Sequence, residues 1–201
     1  MNVFILNTGR CGSMTFIRAC EHITNYTSEH ESRSGLLGAD RFDFPDRHIE
    51  ADNRLSWCLG RLHAHFGDNA LYVHLKRNLV DTAQSFVKRY DRGIIDAYRR
   101  DVLLHVDEGY SPFEVSLDYC ETVNRNIELF LLDKTRKMEF SLDNASADFM
   151  KFWEFIGAEG DCENALGEFR VAHNASLESE SNVSGSGIRS LQKIMRLRAR
   201  Q

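Results

Sequence analysis

The chain has 201 residues, a net charge of −5, 42% hydrophobic residues and 27% charged residues. That length favours a single domain over residues 1–201 with a full hydrophobic core, and the acidic balance argues against nucleic-acid binding by the surface as a whole. The five cysteines (Cys11, Cys20, Cys58, Cys120 and Cys162) are widely spaced with no C-x-x-C pair, which excludes zinc-ribbon and thioredoxin-type motifs and fits reduced thiols in a cytoplasmic setting.

The chain opens with the apolar run Val3–Leu6, which Asn7 interrupts. It is too short for a signal peptide or a membrane span and reads as a buried first strand. The glycine-punctuated turn T-G-R-C-G-S follows, and then a helix, for which Ser13 is the expected N-cap. Residues 25–45 are polar, contain Gly35 and Gly38, and read as loop. R-H-I-E-A-D-N-R-L holds a short strand. S-W-C-L-G-R-L-H-A-H-F-G reads as a helix with Ser56 as N-cap and Gly67 as stop. A-L-Y-V-H-L-K-R is a second buried strand. L-V-D-T-A-Q-S-F-V-K-R-Y is helical, with Val80, Ala83, Val87 and Tyr90 expected on its apolar face. The chain is mostly helical from about 94 to 132, with a helix start at Pro112 after Ser111. K-M-E-F-S-L is a third strand. S-A-D-F-M-K-F-W-E-F-I-G is an amphipathic helix with the stripe Phe149, Phe152, Trp153 and Ile156, ended by Gly157. Residues 178–187 have the composition of a mobile loop, and 188–201 form a basic stretch. Strands alternating with helices predict an α/β three-layer sandwich around a central parallel sheet. Ligands of such sheets bind outside the carboxyl ends of the strands.

Two motifs lie at those ends. The first is Asn7 to Thr15, N-T-G-R-C-G-S-M-T. A strand, a glycine loop and a helix start in that order turn backbone N–H groups toward one point, and the helix terminus adds partial positive charge. Gly9 and Gly12 permit positive φ, Arg10 adds a charged fork, and Ser13 and Thr15 add hydroxyls. Such a cradle suits phosphate and sulfate equally. A nucleotide kinase would need G-x-x-x-x-G-K-[ST], and no lysine is present. A cysteine phosphatase using Cys11 would need an arginine at position 17, which is isoleucine. The second motif is V-H-L-K-R-N-L-V-D-T-A-Q-S-F. It sets Arg77 just past a strand and Ser85 eight residues later on the next helix.

Together, N-T-G-R-C-G-S-M-T-F and V-H-L-K-R-N-L-V-D-T-A-Q-S-F resemble the PAPS-dependent sulfotransferases, in the form found in bacterial and Golgi-type members. The resemblance covers roughly residues 2–18 and 71–90. It implies a P-loop-NTPase-like fold and transfer of a sulfuryl group from PAPS to a hydroxyl or amine, without metal. Thr8, Gly9, Arg10, Cys11, Gly12, Ser13, Met14 and Thr15 would then hold the 5'-phosphosulfate, and Arg77 and Ser85 the 3'-phosphate. Arg10 would also face the leaving group. K-M-E-F-S-L resembles a later strand of the family, with Ser141 where an acid is usual. The R-K-G-x-x-G element of the cytosolic animal branch is absent; Arg189 or Lys193 could substitute.

A base must take the acceptor's proton, and two segments compete for that role. S-E-H-E-S holds Glu29, His30 and Glu31; R-H-I-E-A-D-N holds His48 and Glu50. By likeness to the family's branches the order of preference is Glu31, His30, Glu50, His48. Either cluster could equally be a solvated face. The expected partner is a small-molecule or carbohydrate acceptor. A phosphotransferase with a degenerate loop and a non-catalytic nucleotide-binding module are the rival readings.

Overall fold

A computed structural model of the chain describes residues 1–107 and 109–177. The expected loop at 178–187 and basic stretch at 188–201, with Arg189 and Lys193, lie outside the described residues. Five strands form one sheet: β1 (Val3–Leu6), β2 (Thr27–His30), β3 (His48–Ala51), β4 (Leu71–Lys76) and β5 (Lys137–Ser141). Their order is β2-β3-β1-β4-β5, and every neighbouring pair is parallel.

Helices cover both faces. They are α1 (Ser13–Cys20), α2 (Leu59–Phe66), α3 (Leu79–Val87), α4 (Ile94–Ala97), α5 (Pro112–Leu131), α6 (Ala145–Ile156) and α7 (Cys162–Leu177). Strand side chains alternate between faces, so β1 feeds two cores. Val3 and Ile5 join Val73 and Leu75 against Phe16 of α1, Phe149 and Phe152 of α6, and Phe169 of α7. Phe4 and Leu6 join Tyr72 against Leu62 of α2, Phe86 of α3, and Tyr119, Val123 and Ile127 of α5. Burial on both faces is what makes β1 and β4 continuous apolar runs rather than alternating ones.

The elements differ from the sequence reading in four places. Residues 25–45 include β2, a polar edge strand whose T-S-E-H side chains are at best half-buried. Gly12, at φ 87°, is the N-cap of α1, so Ser13 is the first helical residue and its hydroxyl is not spent on a cap. Ser56 does not cap α2. It lies in a 3-10 turn, Asn53–Trp57, and its hydroxyl donates to the carbonyl of Asn7 (3.0 Å). The buried face of α3 is Thr82, Ala83 and Phe86, and Val87 is exposed, because this short helix lies over the cradle and α5 rather than flat on the sheet. The boundary signals at Ser111, Gly67 and Gly157 hold. Ser111 and Glu114 form a capping box around Pro112, and Gly67 and Gly157 terminate α2 and α6 with positive φ. All five cysteines are unpaired. No described helix is long and apolar enough to cross a membrane.

Candidate active site

The carboxyl ends of β1, β2, β3 and β4 open onto one cleft of about 610 Å³. Its floor is the loop between β1 and α1. Three residues there have left-handed backbone, Gly9 (φ 82°), Arg10 (φ 59°) and Gly12 (φ 87°). The space at the two glycines is tight as well. A Cβ on Gly12 would meet the Leu142 side chain at 2.8 Å, and one on Gly9 would meet Asn53 Nδ2 at 3.1 Å.

Buried polar groups hold this loop from below. Asn7 Oδ1 accepts the Gly9 N–H (2.8 Å), and its Nδ2 donates to the Ile5 carbonyl (2.8 Å). The Asn7 N–H donates to Ser56 Oγ (3.2 Å), and the Tyr119 hydroxyl donates to the Thr8 carbonyl (2.8 Å). Each bond contributes about 1 kcal/mol net. Their larger effect is geometric, because a cradle fixed before ligand arrives loses little freedom on binding.

The cleft-lining loop residues are Gly9, Arg10, Gly12, Ser13, Met14 and Thr15. Thr8 and Cys11, grouped with them by sequence, turn their side chains inward and do not line the cleft. Thr8 Oγ1 donates to the Gly9 carbonyl (2.8 Å), and the Cys11 thiol donates to Asn7 Oδ1 (3.5 Å). Burial pushes the Cys11 thiol up to about 12, so it is not a thiolate nucleophile at neutral pH.

The second motif meets the first here. Arg10 Nε donates to Ser85 Oγ (3.0 Å), and Arg77 Nη1 donates to the Arg10 carbonyl (3.5 Å). Arg77 also stands 4.0 Å from Asp81, which is mostly exposed. Arg89 and Arg92 line the same wall. Burial first, then the charges of Arg89, Arg77 and Arg92, lower the Arg10 guanidinium below its usual value. Four arginines therefore repel one another around one point, which is the electrostatic signature of an anion site.

His30 and Glu31 form the opposite wall, together with Asn53 and Arg54. His30 Nε2 and Ser13 Oγ share a hydrogen bond (3.0 Å). Glu31 has left-handed backbone (φ 54°), and its carboxylate is 2.8 Å from Arg54 Nη1. Glu31 is the only acid among the described lining residues.

Glu50 and His48, the other base candidates, are not in the cleft. Glu50 is fully buried and accepts the Ser32 N–H (2.8 Å) and the Ser32 hydroxyl (2.6 Å), and it pairs with His48 Nε2 (3.0 Å). His48 lies at the start of β3, away from the carboxyl edge; its Nδ1 bonds Thr27 Oγ1 (2.8 Å) and its ring stacks on Phe44. Glu29, exposed on β2, is not among the lining residues either.

Sequence reasoning did not single out Asn53, Arg54, Arg89 or Arg92. Arg54 lies just past the end of β3, where the strand-end rule applies as it does to Arg77. Arg89 lies four residues after Ser85, in the turn just past the end of α3.

No family model matches the sequence, and no curated protein matches it. Among solved structures, the fold is similar to that of mouse sulfotransferase SULT7A1 complexed with PAP. The TM-score is 0.57 and the identity 13%, over 90% of this chain and 68% of that one. This chain thus has the P-loop-like α/β fold of the sulfotransferases, with a central parallel sheet of five strands flanked by helices.

Proposed function

We propose that the protein transfers a sulfuryl group from PAPS to the hydroxyl or amine of an acceptor. The observation that carries this reading is the meeting of the two motifs, in which Arg10 bridges the glycine cradle to Ser85 while Arg77 bonds the cradle's backbone. A ligand with one anionic group in the cradle and another beside Arg77 and Ser85 matches that pattern, and PAPS has both. The fold's likeness to a PAP-bound sulfotransferase supports the choice.

In this reading, Gly9 to Ser13 and Arg10 hold the 5' end, and Arg77 and Ser85 hold the 3'-phosphate. Arg89 and Arg92 add positive potential along the same wall. The acceptor enters over β2 and β3, where Glu31 is the base and His30 stands beside it. The acceptor oxygen loses its proton to Glu31 and bonds to sulfur, and the bond from sulfur to the 5'-phosphate oxygen breaks. The charge that develops on the leaving phosphate meets the cradle N–H groups and Arg10, donors already in place before the reaction. Positioning and charge stabilisation do most of the work, as in phosphoryl transfer.

The test is transfer of labelled sulfate from PAPS to an acceptor panel. Loss of a general base lowers turnover by about 100- to 10,000-fold, so Glu31→Gln should do so while leaving PAP affinity intact. Full turnover in Glu31→Gln, with loss in His30→Gln, would move the base to His30. Failure of the unmodified protein to bind PAP more tightly than ADP would remove the donor assignment itself.

A further inference from the structure

The sheet order separates two groups of cations. Arg77 follows β4, and Arg54 follows β3, on the far side of β1. Two strand spacings put these positions about 10 Å apart. On the donor reading, the cradle, Arg77, Arg89 and Arg92 already face the phosphates of PAPS. Arg54 is left on the acceptor wall with Glu31 and His30.

Arg54 is built in rather than loosely attached. Its backbone N–H donates to Asp52 Oδ1 (2.8 Å). Asp52 is itself buried, and its other oxygen accepts from Arg41 Nη2 (2.5 Å). With both oxygens engaged, Asp52 fixes where Arg54 starts and stays 3.9 Å from its Nη1. That Nη1 is buried, and among the described residues no acceptor lies in line with its N–H groups, although Glu31 is at ion-pair distance (2.8 Å). The side chain as a whole is 41% exposed and its contact with the Glu31 carboxylate is not a directed bond, so the guanidinium keeps donors for a second planar acceptor in the cleft.

We propose that Arg54 determines acceptor specificity by binding a carboxylate carried by the acceptor close to the reacting hydroxyl. This rests on the sulfuryl-transfer reading. In the free protein Arg54 holds the carboxylate of Glu31. An acceptor carboxylate takes over the guanidinium as a forked pair and loosens that hold, so Glu31 is released toward the neighbouring hydroxyl only when the acidic substrate is seated. A neutral acceptor leaves Glu31 paired.

The test uses two matched pairs on different scaffolds: galacturonate and its methyl ester, and 4-hydroxyphenylacetate and its methyl ester. Each is titrated by calorimetry into the full chain saturated with PAP. The acid of at least one pair should bind about tenfold or more tightly than its ester, the scale of one charge-assisted bond. Arg54→Ala should erase that preference, and Arg54→Lys should keep part of it. Glu31→Gln should strengthen acid binding, since it removes the competitor for Arg54; a purely structural Arg54–Glu31 pair would not behave so. Equal binding of acid and ester in both pairs, or a preference that survives Arg54→Ala, overturns the proposal. So does an Arg54→Ala protein that loses affinity for PAPS and not for PAP, which would assign Arg54 to the donor's sulfate. If the unmodified protein does not bind PAP, the donor reading fails. The same titrations without PAP then decide the Arg54 assignment by the same outcomes.

Discussion

Replacing Arg77 by alanine separates the nucleotide reading from a generic anion cleft. Arg77 is partly buried, yet its bond to the Arg10 carbonyl is long at 3.5 Å, and among the described residues its one carboxylate neighbour is at 4.0 Å. Its donors are therefore weakly committed before ligand arrives. A 3'-phosphate would take one or two charge-assisted bonds from it, each worth about 1.5–3 kcal/mol. At about 1.4 kcal/mol per factor of ten, one bond alone is worth about 10- to 100-fold in affinity. The folded protein should not suffer, because Arg77 is one of the charges pressing on Arg10. Calorimetry with PAP and AMP reads the effect. The unmodified protein should prefer PAP by at least that factor, and Arg77→Ala should lose most of the preference while AMP affinity changes little. Equal affinities in the unmodified protein, or a PAP preference untouched by the substitution, would refute the 3'-phosphate assignment.

Three further outcomes follow from the geometry. Gly12→Ala should destabilise the fold and abolish PAP binding, since the new Cβ meets Leu142 at 2.8 Å and left-handed backbone costs a non-glycine about 1–2 kcal/mol; thermal melting and calorimetry check both. Cys11, with its thiol raised to about 12 by burial, should resist iodoacetamide in the native protein and react once the chain is denatured, read by mass spectrometry. Asp148 should make the protein acid-labile. Burial alone would raise its carboxyl, but the Ser141 N–H, Lys151 and Asn144 together hold it below its ordinary value. A folded-state value below the unfolded one gives stability that is present above about pH 4 and lost as pH falls through the folded value. Asp148→Asn should therefore melt lower than the parent at neutral pH, with the gap closing in acid.

The parts of this fold that the sequence made legible are those whose physics is local. β1 and β4 are buried on both faces, so their apolar runs are continuous and stand out. The cradle is readable because left-handed backbone asks for glycine at positions 9 and 12. The capping box at Ser111 and Glu114 is a four-residue signal. β2 was hidden because an edge strand needs no apolar face; its T-S-E-H reads as loop until β3 supplies a neighbour. Arg54, Arg89 and Arg92 were hidden because single arginines on a surface look alike, and only the sheet order brings these three to one cleft. The buried face of α3, Thr82, Ala83 and Phe86, is not legible from apolar spacing because the helix packs on α5 and the cradle.

The two clusters of base candidates turn out to be mechanically linked. Glu31 is one of five non-glycine residues with positive φ among those described, and Arg10 is another. Strain of that kind persists only where the surroundings over-determine it. For Arg10 the restraints are Ser85 on its side chain and Arg77 on its carbonyl. For Glu31 they are the bond from its N–H to the Ala51 carbonyl (3.1 Å), which extends the β2–β3 pairing by one residue, and the capture of Ser32 by Glu50. Glu50 pins both the backbone and the hydroxyl of Ser32 while itself paired with His48, so the chain must turn sharply at residue 31, and that turn brings Glu31 to the cleft wall. A buried carboxylate away from the cleft, with its oxygens held by Ser32 and His48, acts as an anchor. The second cluster thus has a physical role without touching the cleft: it fixes the backbone from which the first cluster reaches it.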